Sequence, residues 1–171
     1  MKLQKALSLP LDVFIVRKLG VPGHEELAMG AIAMNDAIVF NKDITASLGI
    51  SKQAIDDVID SEKKELKRRI IAYRGQKPFP AMTNKTIILV DDGIATGASI
   101  KVAILALRQL HPQSIVLAVP VAETDVCKNL ERLVDKLVCP LQTKDFYAVG
   151  QWYENFEQTT DEEVFGLLKK I

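Results

Sequence analysis

The sequence predicts an α/β fold in which a parallel sheet carries helices on both faces. Two apolar runs, at residues 86–90 and 114–119, show no alternation with polar residues, which is typical of strands buried on both sides. Segments with helical spacing of apolar residues alternate with such runs, as in the crossovers between parallel strands. The chain has 171 residues, enough for one domain with its own hydrophobic core. We therefore expect a single domain over residues 1–171.

The N-terminal half contains fewer clear signals than the C-terminal half. Residues 2–9 have the spacing of the end of an amphipathic helix, and the β-branched run at 11–16 predicts a buried strand. The glycines and proline of residues 20–23, followed by residues 25–29 with no clear period, predict a mobile loop. Three further elements are expected: a strand at 37–40, a helix at 43–48, and a long helix at 51–73 that Ser51 caps.

The C-terminal half alternates strands and helices. The apolar run at 86–90 is the strongest strand signal in the chain. Thr160 and Glu163 match a capping box, which predicts a short final helix. The remaining predicted elements are a helix at 98–110, a strand at 114–119, a helix at 123–133 and a strand at 137–139.

Composition excludes several classes of function. Lysine and arginine number 22 and so do aspartate and glutamate, so the chain has no net charge and no basic footprint for nucleic acid. No apolar run is long enough to span a bilayer and no leader segment is visible, so we expect a cytoplasmic protein. Cys127 and Cys139 are expected to be free thiols, since neither lies in a paired motif.

Residues 91–99 have the composition of a phosphate site beside a sugar site. The strand at 86–90 delivers two adjacent carboxylates, Asp91 and Asp92, at its carboxyl end, where ligands bind in parallel sheets. The residues that follow are mostly small, so backbone amides can approach a ligand, and the start of a helix adds unpaired amides suited to an anion. The small and hydroxylated residues are Gly93, Ala95, Thr96, Gly97, Ala98 and Ser99. The carboxylates are pure acceptors that suit sugar hydroxyls, or a divalent cation held through water.

Residues 87–99 resemble the phosphoribosyl pyrophosphate-binding motif of type I phosphoribosyltransferases. That motif has four apolar residues, two acids, a few small or apolar residues and then Thr-Gly-x-Thr/Ser, which is matched here by Thr96 to Ser99. Residues 16–23, 26–32 and 149–153 also look like a bacterial group described as predicted phosphoribosyltransferases. The resemblance covers nearly the whole chain and implies the type I phosphoribosyltransferase fold.

The resemblance also implies an activity and its residues. Phosphoribosyl would pass from phosphoribosyl pyrophosphate to a nitrogenous base, with release of pyrophosphate. Asp91 and Asp92 would hold the ribose 2- and 3-hydroxyls and, indirectly, Mg²⁺ on the pyrophosphate. Ala95 to Ser99 would bind the 5-phosphate, and Gly93 would also belong to the substrate-binding loop. Arg17 and Lys18 would neutralise pyrophosphate, the alternative being two solvated charges at a strand end. The loop at about 20–36 would act as a lid.

Two departures from the family pattern bear on substrate and activity. Ala95 stands where hypoxanthine–guanine-type enzymes carry an acid, which argues against a 6-oxopurine acceptor. The C-terminal segment, about residues 145–171, would then act as a hood with its aromatic residues Phe146, Tyr147, Trp152 and Tyr153 stacking on the base, or those rings would fasten the segment to the core.

The second departure is at the N-terminus. About forty residues of the family pattern, including a strand and the pyrophosphate loop, have no counterpart, so the fold is expected to be N-terminally shortened. Three hypotheses follow: an Mg²⁺-dependent phosphoribosyltransferase, a non-catalytic phosphoribosyl or nucleotide sensor, and a structural partner, such as a homodimer, whose open sheet edge pairs with another subunit.

Overall fold

The computed structural model describes residues 2–157 and 159–168, which form an α/β fold. Six α-helices lie in this part of the chain: α1 (Lys2–Leu7), α2 (Lys42–Ser47), α3 (Lys52–Arg74), α4 (Ala98–Arg108), α5 (Thr124–Glu131) and α6 (Asp161–Leu168). The strands are β1 (Val16–Val21), β2 (His24–Ala33), β3 (Ile38–Phe40), β4 (Thr86–Val90), β5 (Ser114–Ala118), β6 (Val121–Glu123), β7 (Lys136–Val138) and β8 (Leu141–Thr143). A 3-10 helix spans Val149–Trp152. None of the described helices combines the length and apolar character needed to cross a bilayer.

The segment expected to be a mobile loop is a β-hairpin. β1 and β2 pair antiparallel around a turn at Pro22 and Gly23, and β3 adds to the other side of β2. The prediction of an irregular loop over about residues 20–36 is therefore wrong in its conformation. Met29 and Ile32 are fully buried against α3, so burial of apolar side chains stabilises this strand even though its sequence lacks a regular alternation.

The strand predicted at 11–16 begins later in the chain. Residues 11–15 are irregular, and the strand runs over Val16–Val21. The apolar residues of the irregular part are still used in packing, since Phe14 contacts the Phe79 ring at 5.8 Å between centroids. Asp12 is fixed by Arg74 of α3, whose guanidinium donates to both of its carboxylate oxygens at 3.0 and 2.8 Å. Side-chain contacts therefore hold this segment, and not the backbone hydrogen bonds of a sheet.

The parallel sheet places the candidate site. β4, β5 and β7 pair parallel in that order, and β6 pairs parallel with β8 next to their carboxyl ends. One face of β4 and β5 packs against α4 and α5 in a cluster that includes Ile104, Ile115, Leu117 and Leu130. The α/β class and the parallel sheet are thus confirmed. Val90, the last residue of β4, is exposed to solvent.

Helix α4 connects the parallel sheet to the antiparallel one. Ile104 packs with the parallel sheet, while Ala106 packs with Ala33 and Ala37 at the ends of the β2–β3 turn. A helix buried on both sides is nearly apolar all round, as the sequence of α4 is. Two short strands, β6 and β8, were not predicted, because only two residues separate each of them from the strand before it. Both cysteines are free thiols, as expected.

Candidate functional site

The two acids lie directly after β4, at the carboxyl end of the parallel sheet. The Asp91 side chain accepts a hydrogen bond from the backbone N–H of Asp92 at 3.0 Å. Nearby protein atoms displace water from the Asp91 carboxyl and thereby raise its pKa. The hydrogen bond from the Asp92 N–H lowers this pKa, and the negative charge of Asp92 raises it. Both residues remain solvent-exposed. The pair therefore offers accessible acceptor oxygens at the edge of the fold.

The loop after the acids is held at its middle by Ile94. The Ile94 N–H donates to the Val121 carbonyl at 3.1 Å, and the Ile94 carbonyl accepts from the Glu123 N–H at 3.2 Å. Its side chain is only 2% exposed, in the cluster beneath α4 and α5. These contacts attach the loop to β6, so the acids and the start of α4 are fixed relative to each other.

Gly97 makes the turn into α4. Its φ is +70° in the left-handed region, and a Cβ there would lie 2.7 Å from Cγ1 of Val126. Glycine meets both demands because it lacks a Cβ. No side chain caps the helix at this residue, and Ala98 and Ser99 are exposed in its first turn. The first amides of α4 have no acceptor within the helix, and they carry the positive end of its dipole.

The loop thus carries two kinds of binding group side by side. Exposed carboxylates stand at its start, and exposed amides and hydroxyls, including those of Thr96 and Ser99, stand at its end. Hydroxyls suit the first group and an anion suits the second. The structure brings together the residues predicted from the motif, which are Asp91, Asp92, Gly93, Ala95, Thr96, Gly97, Ala98 and Ser99. Their roles toward a ligand stay predictions.

Arg17 and Lys18 lie in β1, where a strand begins, and not at the end of a strand as predicted. Arg17 donates to the Glu62 carboxylate of α3 at 2.7 Å, and this pair is half-buried. A cavity of about 360 Å³ adjoins both cations, and its walls come from β1, the turn after it and α3. None of the residues that line this cavity belongs to the loop at 91–99. The cavity beside Arg17 and Lys18 is therefore not lined by the acid pair.

The C-terminal segment lies against the loop, a placement that the sequence left open. The Tyr153 hydroxyl donates to the Asp92 carbonyl at 2.5 Å. Cγ1 of Val149 lies so near Gly93 that a Cβ on the glycine would approach it to 2.7 Å. Gly93 was the available sequence signal, since a glycine in a loop often marks a close approach by another segment. Tyr153 was among the aromatic residues named from the sequence, but its partner could not be predicted, because 61 positions separate it from Asp92.

The other aromatic residues of this segment contact one another. Phe146 and Trp152 stack with centroids 6.3 Å apart, and Tyr153 meets Phe156 at 5.4 Å. Tyr147 is 88% exposed. Tyr153 thus fastens the segment to the loop, whereas Tyr147 is open to solvent.

The residues present fit a magnesium ion only in an indirect way. Within residues 2–157 and 159–168, no group of three or more His, Cys, Asp or Glu side chains could hold a metal by itself. Mg²⁺ is often bound through one or two carboxylates, water and substrate phosphates. Asp91 and Asp92 supply the carboxylates that such an arrangement needs, and a ligand would supply the phosphates.

The acid pair and the open helix N-terminus lie at the carboxyl end of a parallel strand, where α/β domains of this class bind ligands. The family model described as "Phosphoribosyl transferase domain" matches residues 32–156. The chain therefore belongs to the phosphoribosyltransferase family, of type I, and the resemblance carried by residues 87–99 is confirmed.

Named relatives agree with this assignment. The chain is 40% identical over 166 residues to two proteins of Mycobacterium tuberculosis, named "Putative phosphoribosyl transferase MT0597" and "Putative phosphoribosyl transferase Rv0571c". The match covers 97% of this chain but 38% of each relative, so the chain spans well under half of their length. It is also similar to TT1426 of Thermus thermophilus, whose crystal structure is known, at 32% identity and a TM-score of 0.81. That similarity covers 99% of this chain and 80% of the other.

Proposed function

We propose that the chain transfers phosphoribosyl from phosphoribosyl pyrophosphate to a nitrogenous base. The observation that carries the proposal is the loop between β4 and α4, where exposed acids and an exposed helix N-terminus share one rigidly anchored segment. A ribose 5-phosphate likewise carries hydroxyls and a phosphate in one small molecule.

Each part of the ligand has a chemical counterpart in the loop. The carboxylates of Asp91 and Asp92 accept hydrogen bonds from the ribose 2- and 3-hydroxyls. The amides at the start of α4 and the hydroxyls of Thr96 and Ser99 donate to the 5-phosphate. The acids would repel a phosphate placed on them, so the two groups also fix the orientation of the sugar.

Mg²⁺ bound to the pyrophosphate would neutralise charge on the leaving group, with Asp91 and Asp92 holding it indirectly. Arg17 and Lys18 are proposed to assist, which requires Arg17 to leave Glu62. In the reaction, a lone pair of the acceptor nitrogen forms a bond to ribose C1 while the bond from C1 to pyrophosphate oxygen breaks. Pyrophosphate departs with that electron pair, and a nitrogen-bound proton passes to solvent. The loop contributes by positioning the sugar.

The test is pyrophosphate release from phosphoribosyl pyrophosphate and Mg²⁺ with a panel of purine and pyrimidine bases. The proposal predicts release that depends on one base or a few related ones, together with a nucleoside monophosphate product. Absence of release with every base, in a chain that binds the donor, would contradict transfer.

A second candidate is a non-catalytic regulator that binds a phosphoribosyl compound. The half-buried ion pair between Arg17 and Glu62 favours a regulator, because Glu62 neutralises a cation that a departing pyrophosphate would need. The same assay separates the two candidates: a regulator binds the donor tightly and releases no pyrophosphate from it.

A further inference from the structure

Asp92 is held from both sides by hydrogen bonds. On one side, its N–H donates to the Asp91 side chain at 3.0 Å. On the other, its carbonyl accepts from the Tyr153 hydroxyl at 2.5 Å. These two groups belong to the two peptide planes that flank the Asp92 Cα. Fixing both planes fixes the φ and ψ of Asp92, and with them the direction in which its carboxylate leaves the chain.

The tyrosine is itself anchored. Its ring meets the Phe156 ring at 5.4 Å between centroids. Four residues earlier, Val149 packs on Gly93, the next residue of the loop. The desolvated hydroxyl has a raised pKa, and the charges of Asp92 and Asp91 raise it further, so it remains a donor at neutral pH. The C-terminal segment therefore presents a rigid donor to a turn that would otherwise have an exposed, unpaired carbonyl.

We propose that Tyr153 is a positioning residue, which orients the Asp91–Asp92 turn for sugar hydroxyls through its hydrogen bond to the Asp92 carbonyl. The inference rests on the proposed function, because it assumes that the acids bind a ribose. It also predicts selectivity: Tyr153 acts on the acid end of the loop and not on the amide end, which Ile94 and Gly97 hold independently.

The experiment compares the full chain with Tyr153→Phe, which removes the hydroxyl and keeps the ring. Binding is measured for ribose 5-phosphate, 2-deoxyribose 5-phosphate and inorganic phosphate. A hydrogen bond of ordinary net strength predicts that ribose 5-phosphate binds about 3- to 10-fold more weakly. The loss should shrink for the 2-deoxy sugar, which lacks one of the clamped hydroxyls, and inorganic phosphate should bind unchanged. Tyr73→Phe is the matched control, since it also removes a tyrosine hydroxyl that donates a hydrogen bond, there to Asp161 of α6, and it should change none of the three affinities.

Two outcomes overturn the inference. Equal affinity of the Tyr153→Phe variant and the wild type for ribose 5-phosphate would show that the hydroxyl does not position the acids. An equal loss for all three probes would show that Tyr153 only supports the fold. Failure of the ribose site that the proposed function requires looks different, since the wild type would then bind neither sugar phosphate. In that case amide hydrogen exchange at Asp92 and Gly93 decides: faster exchange in Tyr153→Phe supports the positioning of the turn, and unchanged exchange refutes it.

Discussion

Gly93 and Val149 lie in such close contact that any side chain on the glycine would collide with the valine. A Cβ at Gly93 would be 2.7 Å from one methyl of Val149 and 3.2 Å from the other. This contact joins the residue after the acid pair to the 3-10 helix of the C-terminal segment. The shape of the proposed ribose site thus depends on a segment more than fifty residues away in the chain.

Gly93→Ala should therefore weaken binding of ribose 5-phosphate and lower stability by about 1–3 kcal/mol, as expected for overpacking. Urea denaturation and calorimetric binding measure the two effects. Gly166→Ala in α6 is the control, because nothing lies within 4 Å of a Cβ there and alanine favours a helix. Wild-type stability in Gly93→Ala would show that the C-terminal segment moves away without cost.

Asp91→Asn should stabilise the protein at neutral pH while weakening sugar binding. The Asp91 pKa is raised in the folded state, so its stability contribution is full below the unfolded value, near 3.8, and is lost as the pH rises through the raised folded value. Asparagine keeps an acceptor for the Asp92 N–H and carries no charge. The free energies of unfolding of variant and wild type should therefore converge near pH 3 and separate toward pH 7.

Asp125→Asn is a control in which the change in stability should have the opposite dependence on pH. The hydrogen bond from Lys128 lowers the Asp125 pKa, so that carboxylate stabilises the fold above pH 3.8 and loses the effect in acid. This variant should be destabilised at pH 7 and not at low pH. The same pH trend in both variants would contradict the assignment of the two environments.

Glu62→Gln should free Arg17 for an anionic ligand. The Arg17–Glu62 pair is half-buried, and a pair of this kind is worth about 0.5–1 kcal/mol, so the affinity for phosphoribosyl pyrophosphate should rise about two- to fivefold. Affinity for ribose 5-phosphate, which has no pyrophosphate, should not change. Glu65→Gln is matched to it, because Glu65 pairs with Arg68 and Arg69 within α3. An unchanged affinity for the pyrophosphate compound would remove Arg17 from the proposed site.

Arg74→Met should be destabilising without a direct effect on the site. Arg74 is 8% exposed, contacts both oxygens of Asp12, donates to the Pro78 carbonyl at 3.1 Å and lies 5.0 Å from the Phe79 ring centroid. Asp12 is exposed and regains water when the arginine is removed, so the lost hydrogen bonds cost about 1–3 kcal/mol. Thermal denaturation measures the loss. A melting temperature within about 2 °C of wild type would show that the segment before β1 is not held by this residue.

The parts of the fold that could be predicted are those whose signals are local. The apolar run of β4, the cap of α3 at Ser51 and the loop chemistry of residues 91–99 are all readable from neighbouring residues, and the structure has each element in place. A turn rich in glycine and other small residues, placed after a buried strand and before a helix, constrains the backbone strongly.

The parts that could not be predicted depend on distant contacts. The hairpin of β1 and β2 looked like a loop, since residues 20–23 are rich in glycine and proline and residues 25–29 lack a period. Pairing between the two strands stabilises the hairpin in spite of these signals. Arg17 forms an ion pair with Glu62, which is 45 positions away in the sequence, and Tyr153 donates a hydrogen bond to Asp92, which is 61 positions away. Nothing in the local sequence specifies either partner.

The role of the acid pair is tested by the affinity of the double variant Asp91→Asn, Asp92→Asn for phosphoribosyl pyrophosphate with Mg²⁺. Asp56→Asn, Asp57→Asn removes the same two charges from the exposed surface of α3 and is the control. If the two acids hold the ribose, the Asp91, Asp92 variant loses binding at an unchanged or higher melting temperature, while the control binds as the wild type does. Wild-type affinity in the Asp91, Asp92 variant would contradict that role.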